Sequence, residues 1–235
     1  MSKLAGKVAF VTGSSRGVGK LVAQALAKQG ADVVVHGRTA KACEETLKLV
    51  REAGVRGAIV SGELSDPAQV ERIATEALAA FGRIDILYNN AAVQAVWRPE
   101  GLAKQELSDW TTVFQINVFA LVRLTARIVP QMVARGWGRV VNLTSGIDKT
   151  WQLAAYGASK WAVDKFTDDS AAELAGTGVI VSRIDPGWLR TDLGGPNADN
   201  APETVLPGAL VPVLLPDDAP GGRFFRAQEL RDAVI

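Results

Sequence analysis

Val8-Ala9-Phe10-Val11-Thr12-Gly13-Ser14-Ser15-Arg16-Gly17-Val18-Gly19 decides the fold. Its first four residues form a continuous apolar run, the pattern of a strand buried on both faces. A glycine-rich turn follows, and then Leu21, Val22, Ala25 and Leu26 recur at helical spacing until Gly30. Asp32-Val33-Val34-Val35-His36 reads as a second buried strand. Strand, glycine loop, helix and strand within about 30 residues make a dinucleotide-binding unit. The glycines let the backbone turn sharply against a pyrophosphate, and the helix N-terminus offers unpaired N–H groups to it.

Two other motifs overlap the same loop. Gly13-Ser14-Ser15-Arg16-Gly17 matches the G-x-S-x-G turn of serine hydrolases, but that chemistry needs an acid and then a histidine further along the chain. The only histidine is His36, on the next strand. A phosphate loop ending in Gly19-Lys20 fails because Leu21 stands where a magnesium-binding Ser or Thr is required. Strand two ends in His36-Gly37-Arg38-Thr39, without the carboxylate that holds the ribose 2′-hydroxyl of NAD. Arg38, helped by Arg16, suits a 2′-phosphate instead, so NADP(H) is expected over NAD(H), with NAD(H) still possible.

The alternation continues. Residues 41–53 read as an amphipathic helix, 57–62 as a third strand, and Ser65-Asp66-Pro67 as a helix start with proline at its first position. Residues 84–88 give a fourth strand running into Asn89-Asn90-Ala91-Ala92. Ser108 is read as the cap of a long apolar helix that Pro130 interrupts, with Asn117 in its middle. A fifth strand, 139–144, ends at Ser145, and a sixth, 179–184, ends at Asp185-Pro186-Gly187-Trp188. Repeated strand–helix pairs predict a parallel sheet with helices on both faces, and ligands outside the carboxyl ends of its strands.

Composition sets outer limits. The chain has 235 residues, 48% hydrophobic and 22% charged, with net charge +1, so nothing points to nucleic-acid or membrane partners. Its one cysteine, Cys43, lies between Lys41 and Glu44 and is read as incidental. No secretory leader is read at the N-terminus, and no run reaches the 18 or so apolar residues of a membrane span, so a cytoplasmic protein is expected. No metal site is expected.

Tyr156-Gly157-Ala158-Ser159-Lys160 opens a helix-like run over 154–176. Four residues apart places Tyr156 and Lys160 on one face. An ammonium beside a phenol predicts a lowered tyrosine pKa and a usable general acid or base. Tyr-x-x-x-Lys alone is common. Together with Thr12-Gly13-x3-Gly17-x-Gly19, Asn89-Asn90-Ala91, Asn117, Ser145, and Pro186-Gly187 with Thr191, it makes the chain resemble a short-chain dehydrogenase/reductase of the compact single-domain type. The matching pieces cover roughly residues 5–195.

The resemblance implies a doubly wound Rossmann fold over 1–235, with seven mostly parallel strands in order 3-2-1-4-5-6-7. It implies Tyr156 as general acid in carbonyl reduction, Lys160 on the nicotinamide ribose, Ser145 on the substrate carbonyl, and Asn117 holding a water in a proton relay. The cofactor would be held by Gly13, Ser15, Arg16, Gly17, Val18, Gly19, Arg38, Thr39, Glu63, Leu64, Asn90, Ala91, Tyr156, Lys160, Pro186, Gly187, Trp188 and Thr191. Ala92 replaces a common glycine, Glu63-Leu64 replaces a common aspartate, and the loop from Ser145 to Tyr156 is about two residues short. Thr144 is the alternative hydroxyl.

Six of the ten prolines fall between 196 and 220, so the 194–221 segment, the family's substrate lid, is not one long helix. Residues 221–226 read as an edge strand. Val93, Trp97, Trp151, Trp188 and Leu189 flank the proposed site in sequence and suggest an apolar or aromatic small-molecule carbonyl or alcohol. A carbonyl reductase or alcohol dehydrogenase is the expected function. A non-catalytic NADP(H)-binding regulator is the alternative, disfavoured because Tyr156 and Lys160 are both present. The resemblance also implies a homodimer or homotetramer through the apolar helices at 109–133 and 154–175.

Overall fold

A computed structural model describes residues 3–235. Seven strands form one sheet in the order β3-β2-β1-β4-β5-β6-β7. They are β1 (Val8–Val11), β2 (Asp32–Gly37), β3 (Gly57–Ser61), β4 (Ile86–Asn89), β5 (Gly138–Leu143), β6 (Val179–Asp185) and β7 (Phe224–Arg226). Every pairing is parallel, the last one included. The order is the one the sequence predicts, and it brings the tips of β1, β2, β4, β5 and β6 to one edge.

Side chains alternate across the sheet with the two-residue period of a strand. Ala9, Val11, Val33 and Val35 pack with Val22 and Leu26 of α1 (Gly17–Lys28). Phe10, Val34 and Leu87 pack on the other face with Ile73 of α3 (Pro67–Phe81) and Leu124 and Ile128 of α5 (Ala120–Ala134). Burying each such side chain stabilises the fold by about 1.5–3 kcal/mol. The remaining helices are α2 (Ala40–Glu52), α4 (Leu107–Phe114) and α6 (Ala154–Glu173). Asp66 caps α3 by accepting from the amides of Ala68 and Gln69, with Pro67 at its start.

Several local expectations are corrected. The long helix starts at Leu107, with Glu106 rather than Ser108 at the N-cap position and no side-chain capping bond. Pro130 lies inside α5 without breaking it. The interruption is upstream, a π-helical segment at Gln115–Phe119 that carries Asn117. The continuous Leu107–Ala134 helix is, on length and composition, apolar enough to span a bilayer, against the sequence reading, but here it packs on α3 and α6 as a core helix. β7 covers only Phe224–Arg226. Cys43 is fully buried in the core, and burial pushes its thiol up to about 11.

The proline-rich segment forms 3-10 turns at Pro202–Val205 and Gly208–Leu210. Val205, Ala209, Leu210 and Val213 are buried against the α1 face of the sheet. Tyr88 on β4 is fully buried and donates its hydroxyl to the Ala209 carbonyl at 3.0 Å, which fastens this segment to the sheet.

His36 sits under the glycine loop, and its Nδ1 accepts from the Gly13 amide at 3.1 Å. That bond needs a neutral ring, and burial lowers the imidazole pKa to about 4. The unfolded imidazole titrates near 6.5 and takes up its proton first as pH falls. Its stabilisation is therefore complete above about pH 6.5 and is lost as pH falls toward about 4. Urea unfolding should show a loss of about 2 kcal/mol between about pH 7 and about pH 5. In His36→Gln that slope should be absent, whatever the variant's stability at neutral pH.

Candidate active site and cofactor cleft

The glycine loop is held by a clasp between the tips of β1 and β4. The Thr12 hydroxyl accepts from the amides of Asn90 and Ala91, both at 3.0 Å. The Asn90 side-chain amide donates back to the carbonyls of Thr12 (2.8 Å) and Gly13 (3.1 Å). Gly13 and Gly17 have φ of +62° and +55°, in the left-handed region that favours glycine. A Cβ on Gly19 would lie 2.5 Å from the Gly13 carbonyl and from Asn90 Nδ2. No side chain caps the first turn of α1, so its leading N–H groups remain for an anion. This cradle, closed to any side chain and lined by backbone donors, fits a dinucleotide pyrophosphate.

Around the loop, Arg38 is exposed just beyond the tip of β2, where a ribose would rest. Thr39 caps α2 by accepting from the Ala42 amide at 3.3 Å. Arg16 does not lie free: it pairs with Asp192 at 3.0 Å, a contact worth at most about 1 kcal/mol because both partners are well exposed. Ser15 lies against Gly37, and Val18 packs at the edge of the core beneath the loop. The Glu63 amide donates to Gln69 at 2.9 Å, and the Leu64 side chain is buried on the α3 face of the sheet.

Lys160 and Tyr156 share a face of α6, with the ammonium 5.5 Å from the tyrosine ring centroid. The electrostatic consequence differs from the expectation. Lys160 is buried and donates to the Leu143 carbonyl at 2.8 Å, at the tip of β5. Burial lowers its pKa to about 8. Tyr156 is raised to about 12, first by burial, with a hydrogen bond from Ser145 opposing and the Asp185 charge adding to the rise. Desolvation dominates at the phenol, which is protonated at neutral pH.

Ser145 is the hydroxyl that meets Tyr156. Thr144 is buried and turned toward the Lys160 carbonyl (3.5 Å), so it does not compete. Asn117 is satisfied at every position: it accepts from the Val93 amide (2.8 Å) and donates to the Val93 carbonyl (3.0 Å) and to Ser159 Oγ (3.1 Å). Its side chain joins the strand-four loop to α6.

The loop after β6 closes the edge. Asp185 accepts from the Gly187 amide at 2.9 Å, Gln228 donates to the Pro186 carbonyl at 2.8 Å, and Thr191 lies beside Gly17. Trp97, Trp151 and Trp188 are each about half exposed, and the Trp188 indole donates to the Gly194 carbonyl. Arg98, next to Trp97, donates its amide to Gln152, next to Trp151, so the two tryptophan-bearing loops are joined. Leu189 is a correction: it is buried in the core on the α1 side and forms no open wall. Thr12, His36, Asp185 and Asp192 are the site residues that the sequence reading left without a role.

Comparison with known proteins agrees with this geometry. The family model described as short chain dehydrogenase matches residues 7–201. D-beta-hydroxybutyrate dehydrogenase of Cupriavidus necator is 36% identical over 193 residues, covering 81% of this chain and 73% of that one. A metagenomic short-chain oxidoreductase in complex with NADP superposes with TM-score 0.83 at 29% identity, covering 96% of this chain and 98% of that one. An NAD+-bound xylitol dehydrogenase superposes with TM-score 0.85 at 25% identity, covering 95% and 98%. The chain belongs to the short-chain dehydrogenase family, a family of oxidoreductases.

The glycine cradle has a direct test. Gly19→Ala places a methyl 2.5 Å from a backbone carbonyl that cannot move without displacing the Asn90 clasp. Dinucleotide Kd, measured by fluorescence titration, should rise at least about tenfold, with a stability loss of about 1–3 kcal/mol.

Proposed function

We propose that this chain is an NADP(H)-preferring carbonyl reductase or alcohol dehydrogenase in which Tyr156 is the general acid/base. The observation that carries the reading is the convergence of Ser145, Tyr156 and Lys160 at the same sheet edge as the glycine cradle. The dinucleotide, when bound, supplies or accepts the hydride. The chain's own residues do the rest. Ser145 donates to the substrate oxygen and fixes its direction. Tyr156, protonated at neutral pH, gives its proton to the oxygen as negative charge develops there. Lys160 holds a positive charge close behind the phenol and would reach the nicotinamide ribose.

The pyrophosphate would rest on Gly13, Ser15, Gly17, Val18 and Gly19. Glu63, Leu64, Asn90 and Ala91 would flank the adenosine half, and Pro186, Gly187, Trp188 and Thr191 the nicotinamide. Arg38, with Thr39 at the start of α2, would meet a 2′-phosphate. Arg16 would have to leave Asp192 to join it, a small cost for a surface pair. In this reading one domain spans the chain, 194–221 acts as a substrate lid, and Trp97, Trp151 and Val93 favour an apolar or aromatic small-molecule substrate. Exposed Leu107, Phe119 and Trp161 lie along the α4–α6 region, which suits a homodimer or homotetramer of a cytoplasmic enzyme.

Tyr156→Phe should lower carbonyl-dependent NADPH consumption by at least about 10²-fold while leaving NADPH binding measurable. NADPH binding with no turnover of any aldehyde, ketone or diketone would instead favour a regulator. Arg38→Asp should raise Kd for NADPH far more than for NADH, and equal effects would defeat the 2′-phosphate assignment. Because the tyrosine pKa is raised to about 12, alcohol oxidation, which needs the phenolate, should climb with pH beyond about pH 9. Carbonyl reduction, which needs the phenol and the Lys160 ammonium, should stay level between about pH 6 and about pH 7 and decline as Lys160 loses its proton around pH 8.

A further inference from the structure

Asp185 is the last residue of β6, and its charge is felt at both Tyr156 and Lys160. One carboxylate oxygen, Oδ1, accepts from the Gly187 amide at 2.9 Å, which fixes the side chain's direction. The other, Oδ2, lies against Gly146, the exposed residue next to Ser145, and a Cβ built there would sit only 2.6 Å from it. Among the described residues no cation lies within ion-pair distance of Asp185; the neighbouring Arg183 is occupied by Asp164 and Asp168. Lys160, 5.5 Å from the Tyr156 ring centroid, is buried and bonded to the Leu143 carbonyl. The Lys160 ammonium is thus tied to the tip of β5, while the Asp185 carboxylate lies at the exposed residue beside Ser145. Both Tyr156 and Lys160 register the Asp185 charge, each being raised by it.

We propose that Asp185 is a specificity-determining residue: its carboxylate, placed beside Ser145 and Tyr156 without a counter-ion, selects uncharged carbonyl and alcohol substrates and rejects those carrying a carboxylate close to the reacting carbon. This rests on the carbonyl reduction proposed above and refines its substrate class. A substrate oxygen held by Ser145 and Tyr156 brings its neighbouring carbons under the Oδ2 edge of Asp185. A second carboxylate there meets an anion at short range in a partly desolvated cleft, where like charges repel far more than in bulk water. A neutral ester or ketone has no such penalty. A Cβ at residue 146 would press on this carboxylate, so an alanine there would have to push Oδ2 aside.

The test uses an ester and its free acid bearing the same ketone, ethyl benzoylacetate and benzoylacetate, with the protein supplied with NADPH. The ratio of their kcat/KM values is compared between the wild type and Asp185→Asn, which retains an acceptor for the Gly187 amide but removes the charge. The wild type should prefer the ester, and the substitution should shift the ratio toward the acid by about tenfold. Using the ratio cancels any loss common to both compounds. Asp185→Ala, which removes the turn hydrogen bond as well, should shift the ratio equally if charge is the cause. A ratio unchanged within about twofold in both variants would overturn the inference. The same comparison is made on Kd, by tryptophan fluorescence on the NADP+-loaded protein. If the wild type reduces neither compound, the carbonyl-reduction reading fails for this ketone class. The Kd ratio then decides the role of Asp185 by the same tenfold criterion.

Discussion

The site hangs on the clasp between Thr12 and Asn90. Four hydrogen bonds of 2.8–3.1 Å join the tips of β1 and β4 through two short side chains. These strands are neighbours at the centre of a parallel sheet, where the backbone must leave the ladder just as it turns toward the ligand edge. The clasp satisfies backbone groups that the ladder no longer serves. It also fixes how far the glycine loop stands from the following strand. His36 supports the loop from below through the Gly13 amide. The result is a turn held both by the clasp and from the second strand.

A second constraint is the balance of burial against charge at Tyr156 and Lys160. The spacing of four residues brings the two together, as the helix period requires. Whether the ammonium then acidifies the phenol depends on where it points and on how much water each group has lost. Lys160 points at the end of β5 and bonds a carbonyl there, so its charge is engaged. The phenol is left with a desolvation penalty and a nearby carboxylate, and both hold its proton on. A phenol held this way keeps its proton at neutral pH, which is what the proposed role of Tyr156 as general acid requires.

Most of the fold was legible in the residues because the signals are local and repeated. Buried strands such as Val8–Val11 and Val33–Val35 are unbroken apolar runs, and proline, glycine and aspartate punctuate the helices between them. Strand order followed from the resemblance and from the handed, parallel wiring it implies. The site was legible where one residue type is required: glycine where φ is positive, and tyrosine with lysine on one helical face. What was not legible depended on three-dimensional closeness. The π-helical turn around Asn117 leaves no mark in hydrophobic period. The pairing of Arg16 with Asp192 joins residues 176 positions apart that nothing in either local context connects. Leu189 follows an exposed tryptophan and reads as a pocket wall, yet the bridge between Leu189 and Asn200 turns it into the core.

Asp185 shows why such a residue escapes sequence reasoning. Before a Pro-Gly pair, an aspartate reads as turn chemistry, and one of its oxygens does serve the turn by accepting from Gly187. The proposed selectivity lies in the other oxygen, which lies against Gly146, a residue 39 positions earlier in the chain and without a side chain. One side chain thus has a structural duty and, as proposed, an electrostatic one, and only the first is written in its neighbours. Asparagine can take over the turn but not the charge, so the two duties are separable by a change of a single atom type.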